Sequence, residues 1–285
     1  MTSTTVARPS AAGPVPVGKL LRTWRERRRL TQLDLALRAE VSARHLSFVE
    51  TGRSRPTSDM ILRLAEELDV PLRDRNVMLL SGGFAPAYPA NGLADPPMSA
   101  VHEAIEHVLR AHEPLPAVVI DARWDLVAAN GAAPVLLDGA AAALLEPPVN
   151  VLRLSLHPAG IAPRIVNLAE WRAHLLDRLS RDIESTADPA LFALRDELAG
   201  YPAPPPASGT DTRAILVRLR LRAGDTVLSM FSTTTVFGTP RDITLSELAI
   251  ESFYPADEPT AAFWRAQDAR PHPGEGDSAP LAGPT

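Results

Sequence analysis

The sequence predicts a multidomain chain: an all-α N-terminal region followed by an α+β region with a mostly antiparallel sheet. Three observations predict it. Charge divides along the 285 residues, with a net of +5 over residues 1–81 and −10 over 82–285. Hydrophobic spacing is helical from Val17 to about Ser81. It then alternates between strand-like and helix-like runs. A Gly/Pro-rich stretch, GGFAPAYPANGLADPP (82–97), separates the two.

The domain reading follows. Residues 1–16 are small and polar, without a period, and read as a disordered arm. Residues 17–81 form the first domain, 82–98 a linker, 99–269 the second domain and 270–285 a disordered tail. Within the second domain a helix is expected near Ser99–Ala111. β-type runs follow at 116–121 and 124–129, then an Ala/Leu-rich helix over about 131–145. Two helices are expected within 167–199. Further β-type runs cover 214–222, 225–236 and 243–254. In AILVRLRLR, Ile215, Val217, Leu219 and Leu221 alternate with Leu216, Arg218, Arg220 and Arg222, the period of a half-buried strand. The arginine stripe then reads as a solvated face. RAGDT supplies a hairpin turn, because Gly224 tolerates positive φ.

Composition excludes several classes. With no cysteine there are no disulfides, thiolate metal sites or cysteine nucleophiles, which fits a reducing compartment. No apolar run reaches the roughly 18 residues that span a bilayer, and the N-terminus lacks the pattern of a signal peptide. The expectation is a cytoplasmic protein with no membrane partner. His102, His107 and His112 are five apart and do not share a helix face, so they do not form a metal set. The sequence has no Gly-rich phosphate loop and no Gly-x-Ser-x-Gly elbow. No catalytic residue, metal ligand or cofactor is predicted, and the chain is not expected to be an enzyme.

The informative stretch is TQLDLALRAEVSARHLSFVETGRSRP, residues 31–56. Thr31 and Asp34 have the spacing of a capping box, and Leu35, Ala36 and Ala39 form a buried face. Glu40–Val41 make a tight turn. Ser42 caps a second helix in which Leu46 and Val49 face inward. Ala43, Arg44, Ser47 and Thr51 then face outward, and Gly52 ends the helix. Two short helices joined this tightly form a helix-turn-helix. Its second helix fits the major groove, where an arginine donates two bonds to guanine. Arg53, Arg55 and the helix starts at Thr31 and Ser42 sit where phosphates would lie. A basic module of this kind predicts double-stranded DNA as a partner.

Residues 17–81 resemble the XRE, lambda-repressor-like helix-turn-helix family. The matching residues include Leu20–Arg22, Arg25–Arg29, Leu30-Thr31-Gln32, Leu35-Ala36, Val41-Ser42, Leu46-Ser47, Glu50, Gly52 and Arg53–Pro56. The resemblance implies a five-helix bundle, completed by helices near Ser58–Asp69 and Leu72–Ser81. It implies that Gln32 contacts a phosphate and that Ala43, Arg44 and Ser47, with Thr51, read bases. Two positions depart from the family. Glu40 stands where glycine is usual, so a differently shaped turn is expected. Phe48 occupies a normally polar position, and two partners for its ring stay open: a neighbouring helix or a thymine methyl.

HLSFVETGRSRP, RNVMLLSGGFAPAY (75–88), PAVVIDARWDLVAANGAA (116–133), NVLRLSLHPAGIAP (150–163) and NLAEWRAHLLDRL (167–179) resemble the MmyB-like regulators. That resemblance implies a PAS-like C-terminal domain that takes a small apolar ligand such as a fatty acid. Trp124, Asn130, Trp171, Met230 and Phe231 are then candidates to line the site, with Arg153, His157 or His174 near a head group. For Trp124, Trp171 and Phe231 taken singly, a plain core is the default reading, because large apolar residues are buried. The expected whole is a homodimeric, ligand-controlled transcription regulator. The alternative is a DNA-binding regulator whose C-terminal domain serves only dimerisation or a protein partner.

Overall fold

The computed structural model describes residues 15–204 and 216–268. The tail read as disordered, most of the arm, and Ala214 and Ile215 of the expected strand lie outside these residues. The chain divides into an N-terminal unit built on residues up to Ala90 and a C-terminal unit that holds the sheet.

Five helices make the N-terminal unit: α1 (Val17–Arg27), α2 (Gln32–Arg38), α3 (Ala43–Glu50), α4 (Ser58–Glu67) and α5 (Leu72–Ser81). Local chemistry sets their starts. Thr31 and Asp34 form the reciprocal capping box, Ser42 accepts from the His45 N–H, and Thr57 accepts from the Met60 N–H. Their ends share one device. Each helix closes on a residue with positive φ: Arg29, Glu40, Gly52, Asp69 and Gly83. In α2 the Val41 N–H reaches the Ala36 carbonyl at 2.9 Å and the Glu40 N–H reaches Leu37 at 3.3 Å. In α3 the Arg53 N–H reaches Phe48 at 2.8 Å and the Gly52 N–H reaches Val49 at 3.0 Å. This is the Schellman pattern.

It corrects the expectation for the α2–α3 turn. The turn is not reshaped around Glu40; Glu40 adopts φ +52° and makes the glycine-type turn itself. The two carbonyls captured at the helix end offset the cost of a left-handed non-glycine residue, about 1–2 kcal/mol.

Leu21, Leu35, Leu46, Ile61, Leu64, Leu68, Met78 and Leu79 fill the bundle core. Gly18 lets α1 approach α3: a Cβ there would lie 2.1 Å from the Val49 carbonyl oxygen. Phe84 packs on this core, and the Asn76 carboxamide bonds the backbone of Ala87 and Tyr88, so the start of the Gly/Pro-rich stretch is held on the bundle.

The C-terminal unit begins with α6 (Ser99–Ala111), then β1 (Ala117–Ile120) and β2 (Leu126–Ala129). Next come α7 (Pro134–Leu137), α8 (Val151–Leu156), α9 (Leu168–Thr186) and α10 (Pro189–Ala199). The chain closes with β3 (Leu219–Ala223), β4 (Thr226–Val236), α11 (Ile243–Ser246), β5 (Ala249–Pro255) and α12 (Glu258–Asp268). The five strands form one antiparallel sheet in the order β2-β1-β5-β4-β3. This is the α+β, PAS-like layout that the sequence predicts.

Helix α6 lays Ile105 and Leu109 on Ala117, Val119 and Ile250 of one sheet face. The other face is covered by the larger core, in which Ile120, Leu219, Leu221, Leu228 and Met230 meet Trp171, Leu175, Leu179 and Trp264. Gly224, at φ +57°, turns the β3–β4 hairpin, and Arg220 and Arg222 are exposed as expected.

Three segments differ from expectation. The helix over 131–145 shrinks to α7, because Pro134 starts it and Gly139 at φ +76° ends the run. Residues 243–246 are helical, and only 249–255 join the sheet. The strand read from 214 starts at Leu219. Helix α12 is an element that the sequence pattern did not reveal. Its Thr260 hydroxyl accepts the Ser229 N–H at 2.9 Å, which serves a strand donor of β4.

Candidate nucleic-acid interface and ligand site

Helix α3 turns Leu46, Val49 and Glu50 inward. Glu50 is the one acidic residue of α3, and its side chain is 1% exposed. Arg25 binds it with both prongs, Nε to Oε1 at 2.7 Å and Nη2 to Oε2 at 2.9 Å. The hydrogen bond to Glu50 raises the Arg25 pKa and keeps the guanidinium charged. Gln32 adds a 2.8 Å bond from Nε2 to Oε2, and Arg25 Nη1 caps the Leu30 carbonyl at 2.8 Å. One buried carboxylate thus ties α1, α2 and α3 together. It also removes the only negative charge from the outer side of α3.

On that outer side Arg44 is exposed, and its Cζ lies 5.4 Å from the Phe48 ring. Ser42 is exposed at the helix start. Ala43 is half-buried and packs partly on the core, and Ser47 is half-buried. Thr51 is exposed, its hydroxyl donating to the Ser47 carbonyl at 2.7 Å. Arg53 and Arg55 are exposed in the loop that the Phe48 carbonyl anchors. Gln32 spends one amide N–H on Glu50, and its second remains a donor. The structure brings these eight predicted residues onto one helix-turn-helix and its following loop. Sequence reasoning missed Arg25 and Glu50 as the brace beneath them, and Phe48 as the ring beneath Arg44. The i, i+4 spacing of Arg44 and Phe48 was the available signal.

The ligand candidates separate into groups. Trp124, Trp171 and Met230 are buried in one core. Trp171 donates from Nε1 to Ser155 Oγ at 3.0 Å, and the His174 ring lies 5.4 Å from it. Burial, helped by Arg178 and Arg181, lowers the His174 pKa and favours the neutral ring. Arg153 and His157 lie together elsewhere. Arg153 binds Glu197 at 2.7 and 2.8 Å, Tyr201 donates to the same carboxylate, and the His157 ring meets Tyr201 edge-on. The Arg153 hydrogen bond holds Glu197 down at about 2. Asn130 is committed to backbone, accepting from Ala117 and donating to Leu109 and Leu115. Phe231 stacks on Tyr254. By alternation along β4 it points away from the face that holds Met230.

The cation at the edge of the large core, against Trp124, is one that sequence reasoning passed over. Arg178 of α9 forks onto Glu251 of β5 at 2.6 and 2.9 Å. Ser232 and Thr234 also donate to that carboxylate. Burial opposes the Arg178 charge most strongly, but the Glu251 hydrogen bond and the attraction of Glu251 and Asp182 together outweigh it and the pKa is raised. The Trp124 ring lies 4.7 Å from the Arg178 Cζ, and its Nε1 donates to Asp182 at 3.0 Å. Burial raises the Asp182 carboxyl. Trp124 holds φ +66°, an uncommon state for a bulky residue, fixed by the Asp121 side chain bonding the N–H groups of Arg123 and Asp125. Trp264, 1% exposed, has no acceptor for Nε1 among the described residues.

Comparison with known proteins completes the assignment. A helix-turn-helix family model matches residues 21–74. The model of the MmyB-like transcription regulator ligand binding domain matches residues 101–266, more than half of the chain. The chain belongs to the MmyB-like transcription regulators. No curated protein matches it. As an MmyB-like regulator it joins a DNA-binding helix-turn-helix to a ligand-binding domain, and both domains are those of transcription regulators. Among the described residues of this MmyB-like regulator, no helix is long and apolar enough to cross a membrane.

Proposed function

We propose that this MmyB-like regulator binds DNA as a two-fold dimer, with α3 in the major groove and Ala43, Arg44, Ser47 and Thr51 at base edges. Gln32, Ser42, Arg53 and Arg55 face phosphates in this reading. The observation that carries it is electrostatic. The only carboxylate of α3 is turned inward and neutralised by Arg25, so the outer side presents Arg44 and then the arginines of the next loop. Selection of bound DNA from a random pool tests the reading. Enrichment of half-sites spaced about 34 Å apart, with guanine in the footprint of α3, is expected. A pool that stays unenriched would contradict it.

The C-terminal domain, in the same proposal, takes a small apolar or fatty-acid-like molecule. Trp124, Trp171 and Met230 support this as members of one core, with the His174 ring against Trp171. The buried Trp264 N–H adds a donor that a ligand oxygen would satisfy. Solvent extraction of the purified protein, followed by a thermal-shift titration with straight-chain fatty acids, tests it. A co-purifying lipid or a dose-dependent rise in melting temperature is expected. Neither would leave the domain as a dimerisation or partner module.

A further inference from the structure

Phe48 belongs to the same outer side of α3 as Arg44, four residues away, and the guanidinium carbon sits 5.4 Å from its ring centre. The ring is half-buried, yet it is not among the described residues that pack on the bundle core, where Leu20, Leu30, Val41, Ala43, Met60, Leu62 and Phe84 complete the packing. Packing on the bundle core therefore does not account for it. The Phe48 carbonyl receives the N–H groups of Arg53 and Ser54 at 2.8 and 3.1 Å, so this turn of α3 is fixed to the loop that follows. The side chain stands on a rigid base.

A phenyl ring left beside a cation on a recognition surface needs an apolar partner. In the major groove the bases offer one apolar group, the C5 methyl of thymine. The ring also restricts Arg44 before binding, since a guanidinium resting on an aromatic face samples fewer arrangements. Arg44 is thereby presented as a fork beside a methyl-sized apolar contact.

We propose that Phe48 is a specificity-determining residue that reads the C5 methyl of a pyrimidine in a base pair neighbouring the guanine read by Arg44. The inference rests on the placement of α3 in the major groove. It predicts a thymine adjacent to guanine within each half-site.

The test uses full-length protein and the tightest sequence recovered from the random pool. Each thymine is replaced in turn by uracil, which removes only the methyl group, and binding is measured by fluorescence anisotropy at fixed salt. One replacement in the footprint of α3 should weaken binding about fourfold, the worth of burying one methyl-sized group. Placing 5-methylcytosine opposite guanine at that position should recover more of the lost contact than cytosine does. Phe48→Ala should bind thymine and uracil sites alike, and Phe48→Leu, which keeps an apolar side chain and the fold, should keep part of the preference. Native protein indifferent to every uracil replacement would overturn the inference, as would equal sensitivity in Phe48→Ala. In both cases an enriched guanine lost on Arg44→Ala would leave the groove placement standing. A pool without enrichment would remove both together.

Discussion

The two units each bury a forked arginine–glutamate pair, and the pairs differ in what they organise. Arg25–Glu50 joins helices only 25 residues apart in the chain, with Gln32 as a third member. Arg178–Glu251 joins α9 to the sheet across 73 residues, with two hydroxyls and the Trp124 ring around it. In the first, the pair hides the one acid of α3, so that the outer side of the helix carries Arg44 and no carboxylate. In the second, it sets a fixed charge beside the aromatic residues of a ligand-binding domain. The same chemistry shapes an exterior in one unit and an interior in the other.

The largest expected effect probes that contrast. Glu50→Ala leaves the Arg25 guanidinium, 10% exposed, without its carboxylate and should cost about 3–5 kcal/mol in urea unfolding. Glu251→Ala should cost less, about 1–3 kcal/mol, because Arg178 is 17% exposed against 10% for Arg25; each arginine keeps one neutral acceptor, Thr234 and the Leu30 carbonyl. A reversed order would break the comparison. Glu40→Gly acts in the opposite direction. It relieves the left-handed strain at φ +52° and should stabilise by up to about 1 kcal/mol. A loss of stability would show that the Glu40 side chain contributes more than its strain costs.

The smallest effect is a pH dependence. Arg153 lowers Glu197 to about 2 in the folded state. The unfolded chain therefore takes up this proton first as pH falls. The stabilisation is present above about 4.5, the ordinary value, and is lost as pH falls toward about 2. The melting-temperature gap between native protein and Glu197→Gln should be open at pH 7 and narrow at pH 3. A gap that widens at pH 3 would assign the pair the wrong sign.

The N-terminal unit was legible because its signals are local. Caps at Thr31, Ser42 and Thr57, the stop at Gly52 and the inward Leu46 and Val49 all act within a few residues. The willingness of Glu40 to turn left-handed went unread, since that depends on carbonyls that the turn itself captures, and so did the Arg25–Glu50 brace, which joins separate helices. The same locality gave α6 and the Gly224 hairpin. Elsewhere distant partners decide. The segment after Gly131 looked helical by composition, but Pro134 and Gly139 cut it short. No local signal announced α12, whose Trp264 is buried in the core that the sheet helps to form. Arg178 lies on an amphipathic helix and reads as solvated, because nothing near it in sequence announces Glu251. The DNA-side candidates fall together on one helix-turn-helix and its loop for the same reason that its helices were legible. The ligand-side candidates scattered, since apolar residues and histidines do not state which face of a sheet they will meet.

The central claim is that α3 reads bases through Arg44 while the following loop holds phosphates. Binding of Arg44→Ala and Arg53→Ala to the selected site and to random DNA, across a salt series, tests it most directly. Arg44→Ala should lose about 1–3 kcal/mol on the selected site and little on random DNA. Arg53→Ala should weaken both equally and make the salt slope shallower by about one. Equal loss on both DNAs for Arg44→Ala would contradict the account.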